Sequence, residues 1–194
     1  MEGVRSLFEF MGSRWDSIFV ELIRHTQYVV SAFATATIIA VGVGIWVRHR
    51  PFYREIALGV SSVFLTLPSL ALFVIFIPLT GLGFMAPYIA LTMYALLPIL
   101  RNTVTGLTEV DAAVLESARG MGLNSRQRLW RVELPLAWPV IITGVRVSTL
   151  LVTGIAAIAV LVGGGGLGVF IQSGLTRLGF PNSFEAMWTG TLLT

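Results

Sequence analysis

Apolar positions in this chain gather in blocks longer than a soluble helix needs for one buried face. Four blocks reach the roughly 20 residues a helix requires to cross a bilayer: about 28–47, 56–79, 82–100 and 138–162. A fifth apolar segment opens near Phe184 and still runs at Thr194, so the last helix is expected to be incomplete. Phe8, Trp15, Ile18, Phe19 and Leu22 recur at helical spacing among mixed charges. Residues 1–25 are therefore predicted to form an interfacial amphipathic segment, not a cleavable signal, ahead of a membrane domain over 26–194.

Loop charge orients the spans. Arg48, Arg50 and Arg54 follow the first block, and Arg101, Arg119, Arg126, Arg128 and Arg131 lie between the third and fourth, whereas the turn at Thr80–Gly81 has no charge. The positive-inside rule puts both Arg-bearing loops in the cytoplasm. Small residues at i, i+4 spacing, Ala32, Ala36, Ala40 and Gly44 on the first span and Thr149, Thr153 and Ala157 on the fourth, predict close helix packing within the chain.

Composition agrees and narrows the chemistry. Of the 194 residues 55% are hydrophobic and 12% charged, about half the charge of a soluble domain. Mean hydropathy is +0.83. The net charge of +3 is read as arginine in cytoplasmic loops, with no nucleic-acid partner. All 13 basic residues are arginine and cysteine is absent. A phosphate-loop ATPase, a Schiff-base enzyme and a thiolate metal site are thereby excluded, and no catalytic residue or cofactor is expected on this chain. His25 and His49 flank spans without a second ligand nearby, so no metal is expected. Gly163, Gly165 and Gly168 satisfy a GxGxxG pattern, but they follow a span instead of a buried strand, which predicts a backbone turn at the outer mouth.

The loop between the third and fourth spans is ordered. Thr108-Glu109-Val110-Asp111 has the form of a capping box, and Val110, Val114, Ala118 and Met121 recur at helical spacing. Gly122 stands where a left-handed helix end is expected; Asn124 or Ser125 starts a second helix through Arg131, and Pro135 and Pro139 close the loop. An apolar stripe on such a hairpin must be buried, and a partner protein, the membrane interface and the chain's own bundle all remain open.

The residues of this loop carry a resemblance. Glu116-Ser117-Ala118, then Gly122, then Val132, Leu134 and Pro135 are similar to the signature of binding-protein-dependent ABC importer permeases, with every spacing kept and with Ser117 and Val132 in place of alanine and isoleucine. The resemblance implies an all-α integral membrane protein of about five transmembrane helices, with a cytoplasmic coupling-helix hairpin between spans three and four. It implies that Glu116, Ser117, Ala118, Met121 and Gly122 dock on a separate ATPase carrying ATP and Mg, with Val132, Leu134 and Pro135 leading into the fourth span. Further implied partners are a second permease copy or paralogue, an extracytoplasmic substrate-binding protein and the lipid of a bacterial inner membrane.

Arg101-Asn102-Thr103, Met121-Gly122, Val132-Glu133-Leu134-Pro135-Leu136, Gly144-Val145-Arg146 and Gly164-Gly165-Gly166-Leu167-Gly168 extend the resemblance to the osmoprotectant branch. Its substrates are glycine betaine, choline, carnitine and related quaternary amines. Aromatic faces hold such cations, which makes Phe64, Phe73 and Tyr94, with Arg146, the residues named for the translocation path. A permease for methionine or another small solute, an ATP-independent channel and a membrane anchor are the alternatives.

Overall fold

The computed structural model describes residues 2–178 and 181–194, and every regular element among them is helical. Met1, the first residue of the predicted N-terminal segment, lies outside them. The helices are α1 (Glu2–Ser13), α2 (Trp15–Val47), α3 (Pro51–Thr66), α4 (Ser69–Thr80), α5 (Met85–Thr108), α6 (Ala112–Gly120), α7 (Ser125–Arg128), α8 (Leu134–Ala156), α9 (Gly168–Thr176) and α10 (Ser183–Leu193). A π-helical turn (Leu129–Glu133) joins α7 to α8, and a 3₁₀ turn (Ala157–Val162) extends α8. In hydrocarbon there is no water for backbone N–H and C=O groups, and a helix satisfies its own.

Among the described residues two continuous rods have the length and apolarity to cross a membrane: α2, 33 residues long, and the 38-residue run Ser125–Val162. The predicted second span is not one straight helix. Its halves, α3 and α4, qualify only as a pair and are bent by 100°. Pro68 is the cause. Its ring disfavours helical geometry at Leu67 and it has no N–H to give, so α3 stops at Thr66 and Pro68 becomes the extended N-cap of α4. The third span begins later than predicted and overruns its predicted end. At 24 residues α5 is about 36 Å long, although Arg101 and Asn102 within it lower its apolarity. The periodic N-terminal residues are divided between two helices: Phe8 is on α1, while Trp15, Ile18, Phe19 and Leu22 open α2.

The chain forms two compact units. One comprises Met1–Phe33, Leu67–Thr92 and Leu151–Thr194. Its core gathers Phe10, Ile18, Leu167, Phe170 and Ala186. Glycines let α9 and α10 touch: a Cβ at Gly174 would lie 2.3 Å from Met187 Cγ, and one at Gly190 2.6 Å from Ile171 Cγ1.

The other unit, Ala34–Thr66 and Met93–Leu150, is organised on α5. Ala95, Ile99 and Thr103 of that helix are fully buried. The segment of α2 meets it at Gly44, where a Cβ would lie 2.6 Å from Thr103 Cγ2, and α8 meets it at Gly144, 2.6 Å from the Pro98 carbonyl oxygen. The predicted α2 stripe, Ala32, Ala36, Ala40 and Gly44, is buried throughout. On α8 the buried row is Gly144, Ser148, Val152 and Ala156, one position before the predicted Thr149, Thr153 and Ala157, which are half-buried. Both rows are small; what decides between them is α5, whose Ala95 carbonyl accepts the Ser148 hydroxyl at 3.0 Å.

The closeness of α5 and α8 can be tested with two glycines of one helix. A Cβ at Gly144 collides with backbone, whereas one at Gly154 meets nothing within 4 Å. Gly144→Ala is expected to destabilise the detergent-solubilised protein by about 1–3 kcal/mol, as overpacking does, and Gly154→Ala to leave the melting temperature unchanged or slightly raised. Thermal melts of the two variants check this.

Candidate functional site: the loop between α5 and α8

The loop is built from helix ends. α5 runs through Thr108, whose hydroxyl donates back to the Val104 carbonyl at 2.9 Å, so the predicted cap at Thr108 is not used. Asp111 caps α6 instead: its carboxylate accepts from the Ala113 N–H at 2.8 Å. The sequence placed the acids correctly and the cap three residues early, because Thr108 prefers a carbonyl of the helix it ends.

At its other end α6 closes in a Schellman motif. The Leu123 N–H donates to the Ala118 carbonyl at 3.2 Å and the Gly122 N–H to the Arg119 carbonyl at 2.9 Å. The motif demands a left-handed residue after the cap, and Gly122 supplies φ +81°. Nothing lies within 4 Å of a Cβ built there, so backbone conformation, not crowding, selects glycine. Asn124 then opens α7 with a reciprocal box: Gln127 N–H donates to its side chain at 2.9 Å, and Gln127 Oε1 accepts from the Asn124 N–H at 3.0 Å.

The second helix of the hairpin was predicted to stop at Arg131. It runs on into α8 through the π turn, where the Leu134 N–H reaches the Leu129 carbonyl. Pro135 accounts for this. In an α register its ring would strike the carbonyl four residues back and offer no donor, and one extra residue in the preceding turn relieves the clash.

Burial sorts the predicted docking residues. Ala118 packs inward, with 1% of its surface exposed. Glu116, Ser117, Met121, Gly122 and Pro135 are exposed, and Val132 and Leu134 are half-buried. The apolar stripe is therefore split. Val114 and Met121 stay outside, the latter 71% exposed.

Sequence reading gave Glu133 no role, yet it is the buried polar centre of the loop, 2% exposed. Its Oε1 accepts from Arg128 Nε at 2.9 Å. Arg48 Nε lies 3.2 Å from Oε2 without hydrogen-bond alignment, so that contact is coulombic. Arg48 also donates through Nη1 to the Ile45 carbonyl at the end of α2, 2.6 Å away. Glu133 thus ties the turn after α2 to the loop. The signal was present as the single acid among Arg126, Arg128 and Arg131.

The predicted path residues are divided between the two units. Phe73 is fully buried on α4 in the first unit. In the second unit Phe64 is half-buried on α3, Tyr94 is buried on α5 and Arg146 is exposed on α8. A cavity of about 250 Å³ there is lined by Val43, Val60, Ser61 and Leu100 among others, and by none of those three. His25 is buried in α2. Among the described residues no cluster of His, Asp or Glu could hold a metal.

In the first unit the glycine run is a stapled turn, and no strand precedes it. The Tyr28 hydroxyl donates to the Gly164 carbonyl at 2.6 Å, and the Gly166 N–H donates to Glu21 Oε2 at 2.6 Å. Left-handed φ values at Gly163, Gly165 and Gly166 make the turn possible.

Comparisons with known proteins agree with this architecture. Residues 33–194 match the family described as binding-protein-dependent transport system inner membrane component. The choline transport system permease protein OpuBB of Bacillus subtilis (strain 168) is 37% identical over 169 residues, 87% of this chain and 78% of that protein. The carnitine transport permease protein OpuCB of Listeria monocytogenes is 39% identical over 175 residues, 90% of this chain and 79% of its own length. The fold is that of a chain in an inward-facing crystal structure of the MetNI methionine ABC transporter, with a TM-score of 0.77 at 24% identity over 91% of this chain and 87% of that one. The chain therefore belongs to the binding-protein-dependent transport system inner membrane components, as a permease subunit of an ABC importer in the inner membrane.

Proposed function

We propose that this permease serves an ATP-driven importer of quaternary-amine osmoprotectants, among them glycine betaine, choline, carnitine and proline betaine, and that α6 is the helix that docks on its ATPase. One observation carries the docking: α6 is capped at both ends by its own residues, yet holds Val114 and Met121 outside while Ala118 anchors it. A short helix with both ends satisfied has no need of the membrane interface, and its exposed apolar face fits a groove on a partner. The names of the choline and carnitine relatives support the substrate class.

In this reading the chain spans the membrane about five times, through α2, the bent α3–α4 pair, α5, α8 and a last span marked by α10. The Arg-rich turn after Val47 and the α6 hairpin face the cytoplasm. The segment over residues 1–25 lies at the interface, where exposed Phe8 and Trp15 meet lipid. One copy has too few helices to enclose a gated path, so a second copy or a paralogue completes it. ATP and Mg sit on the ATPase, since this chain has no lysine for a phosphate loop. A binding protein outside selects the substrate, and Phe64, Phe73, Tyr94 and Arg146 are offered as path residues for scanning. When the ATPase dimer closes, the paired α6 helices move together and the path opens outward.

Two outcomes follow. Gly122→Asp forces a side chain onto a left-handed backbone and adds a charge to the docking surface; it is expected to abolish uptake with membrane insertion intact, and normal uptake would remove α6 from the mechanism. With ATPase and binding protein in proteoliposomes, labelled glycine betaine or choline is expected to accumulate only with ATP. Accumulation without ATP would contradict the importer reading, and methionine as the transported solute would contradict only the substrate class.

A further inference from the structure

The loop is covalently joined to α5 and α8, so any push on α6 reaches those helices through the chain. α2 has no such link. In the same region Val41 and Ile45 of α2 pack with Leu129 and Leu134 on one apolar cluster, beside a cavity of about 310 Å³ lined by Val41, Ile45, Trp130, Leu134, Pro135 and Trp138. A polar contact across that region runs from Arg48 to the buried Glu133.

From this we infer that Arg48 and Glu133 form a transmission clamp, by which displacement of the α6 hairpin is passed to the end of α2. The inference rests on the reading of α6 as the docking helix. Two features suit the pair to this role. A buried carboxylate cannot leave its guanidinium partners without a large electrostatic penalty, so the contact moves as a unit. The same Arg48 guanidinium also donates through Nη1 to the Ile45 carbonyl, and Gly44, one residue earlier, is in close approach to Thr103 of α5. Arg48 and Glu133 are positioning residues; neither touches solute.

Arg128 supplies the control. It holds the same carboxylate with the shorter, aligned contact, 2.9 Å against 3.2 Å, but lies within the loop itself. If Glu133 only braces the fold, Arg128→Gln does the greater harm to every property. If the clamp transmits motion, the order reverses for coupling alone.

The test reconstitutes the permease with its ATPase and binding protein, and measures labelled glycine betaine or choline taken up per ATP hydrolysed, per assembled complex. Arg48→Gln is expected to lower that ratio about tenfold, within the usual range of coupling between sites, while Arg128→Gln keeps it near the original and lowers the melting temperature more. Arg48→Lys, which restores the charge, is expected to recover most of the ratio. Equal ratios for Arg48→Gln and Arg128→Gln, with Gly122→Asp inactive, overturn the clamp and leave α6 docking intact. Full uptake by Gly122→Asp overturns the docking and the clamp with it.

Discussion

Everything in this chain answers to one constraint: a backbone in hydrocarbon must hydrogen-bond to itself, and each interruption must bring its own partners. The long helices meet it without help. The interruptions are where particular residues become necessary. Tyr28 and Glu21 reach across to satisfy the glycine turn after the 3₁₀ segment. Asp111, Asn124 and Gln127 close the helix starts in the loop, and Gly122 closes a helix end. Pro68 and Pro135, which lack a donor, produce a 100° bend in one place and a π turn in the other.

The same constraint explains how a chain of low charge can hold a buried carboxylate. Glu133 is affordable only because two guanidiniums face it, and those come from separate loops. Satisfying the charge therefore cross-links the turn after α2 to the hairpin that the family reading assigns to the ATPase. A requirement of burial thus adds a polar connection to the apolar packing of Val41 and Ile45 with Leu129 and Leu134.

Much of this was legible in the sequence, for physical reasons that differ by feature. Blocks of apolar residues revealed the helical class, since lipid leaves no other option for a single chain with this pattern. Gly122, Asn124 and the α2 stripe were readable because caps and close approaches demand specific residue types. The bend at Pro68 was missed because hydropathy averages over a proline. The α8 row was missed by one position because Thr149 and Ser148 are both small, and only the position of the Ala95 carbonyl separates them. Glu133 has no visible role in the sequence, since nothing local says that Arg48, 85 residues earlier, folds back onto it. Aromatic content by itself does not say which side chains line a path.

The central claim is that α6 meets an ATPase through its exposed face. A photoactivatable residue in place of Met121, 71% exposed at the end of that helix, tests this directly in the assembled transporter. The account predicts a cross-link to the ATPase subunit, lost when the permease is irradiated alone; cross-links only to lipid or to the permease itself would contradict it.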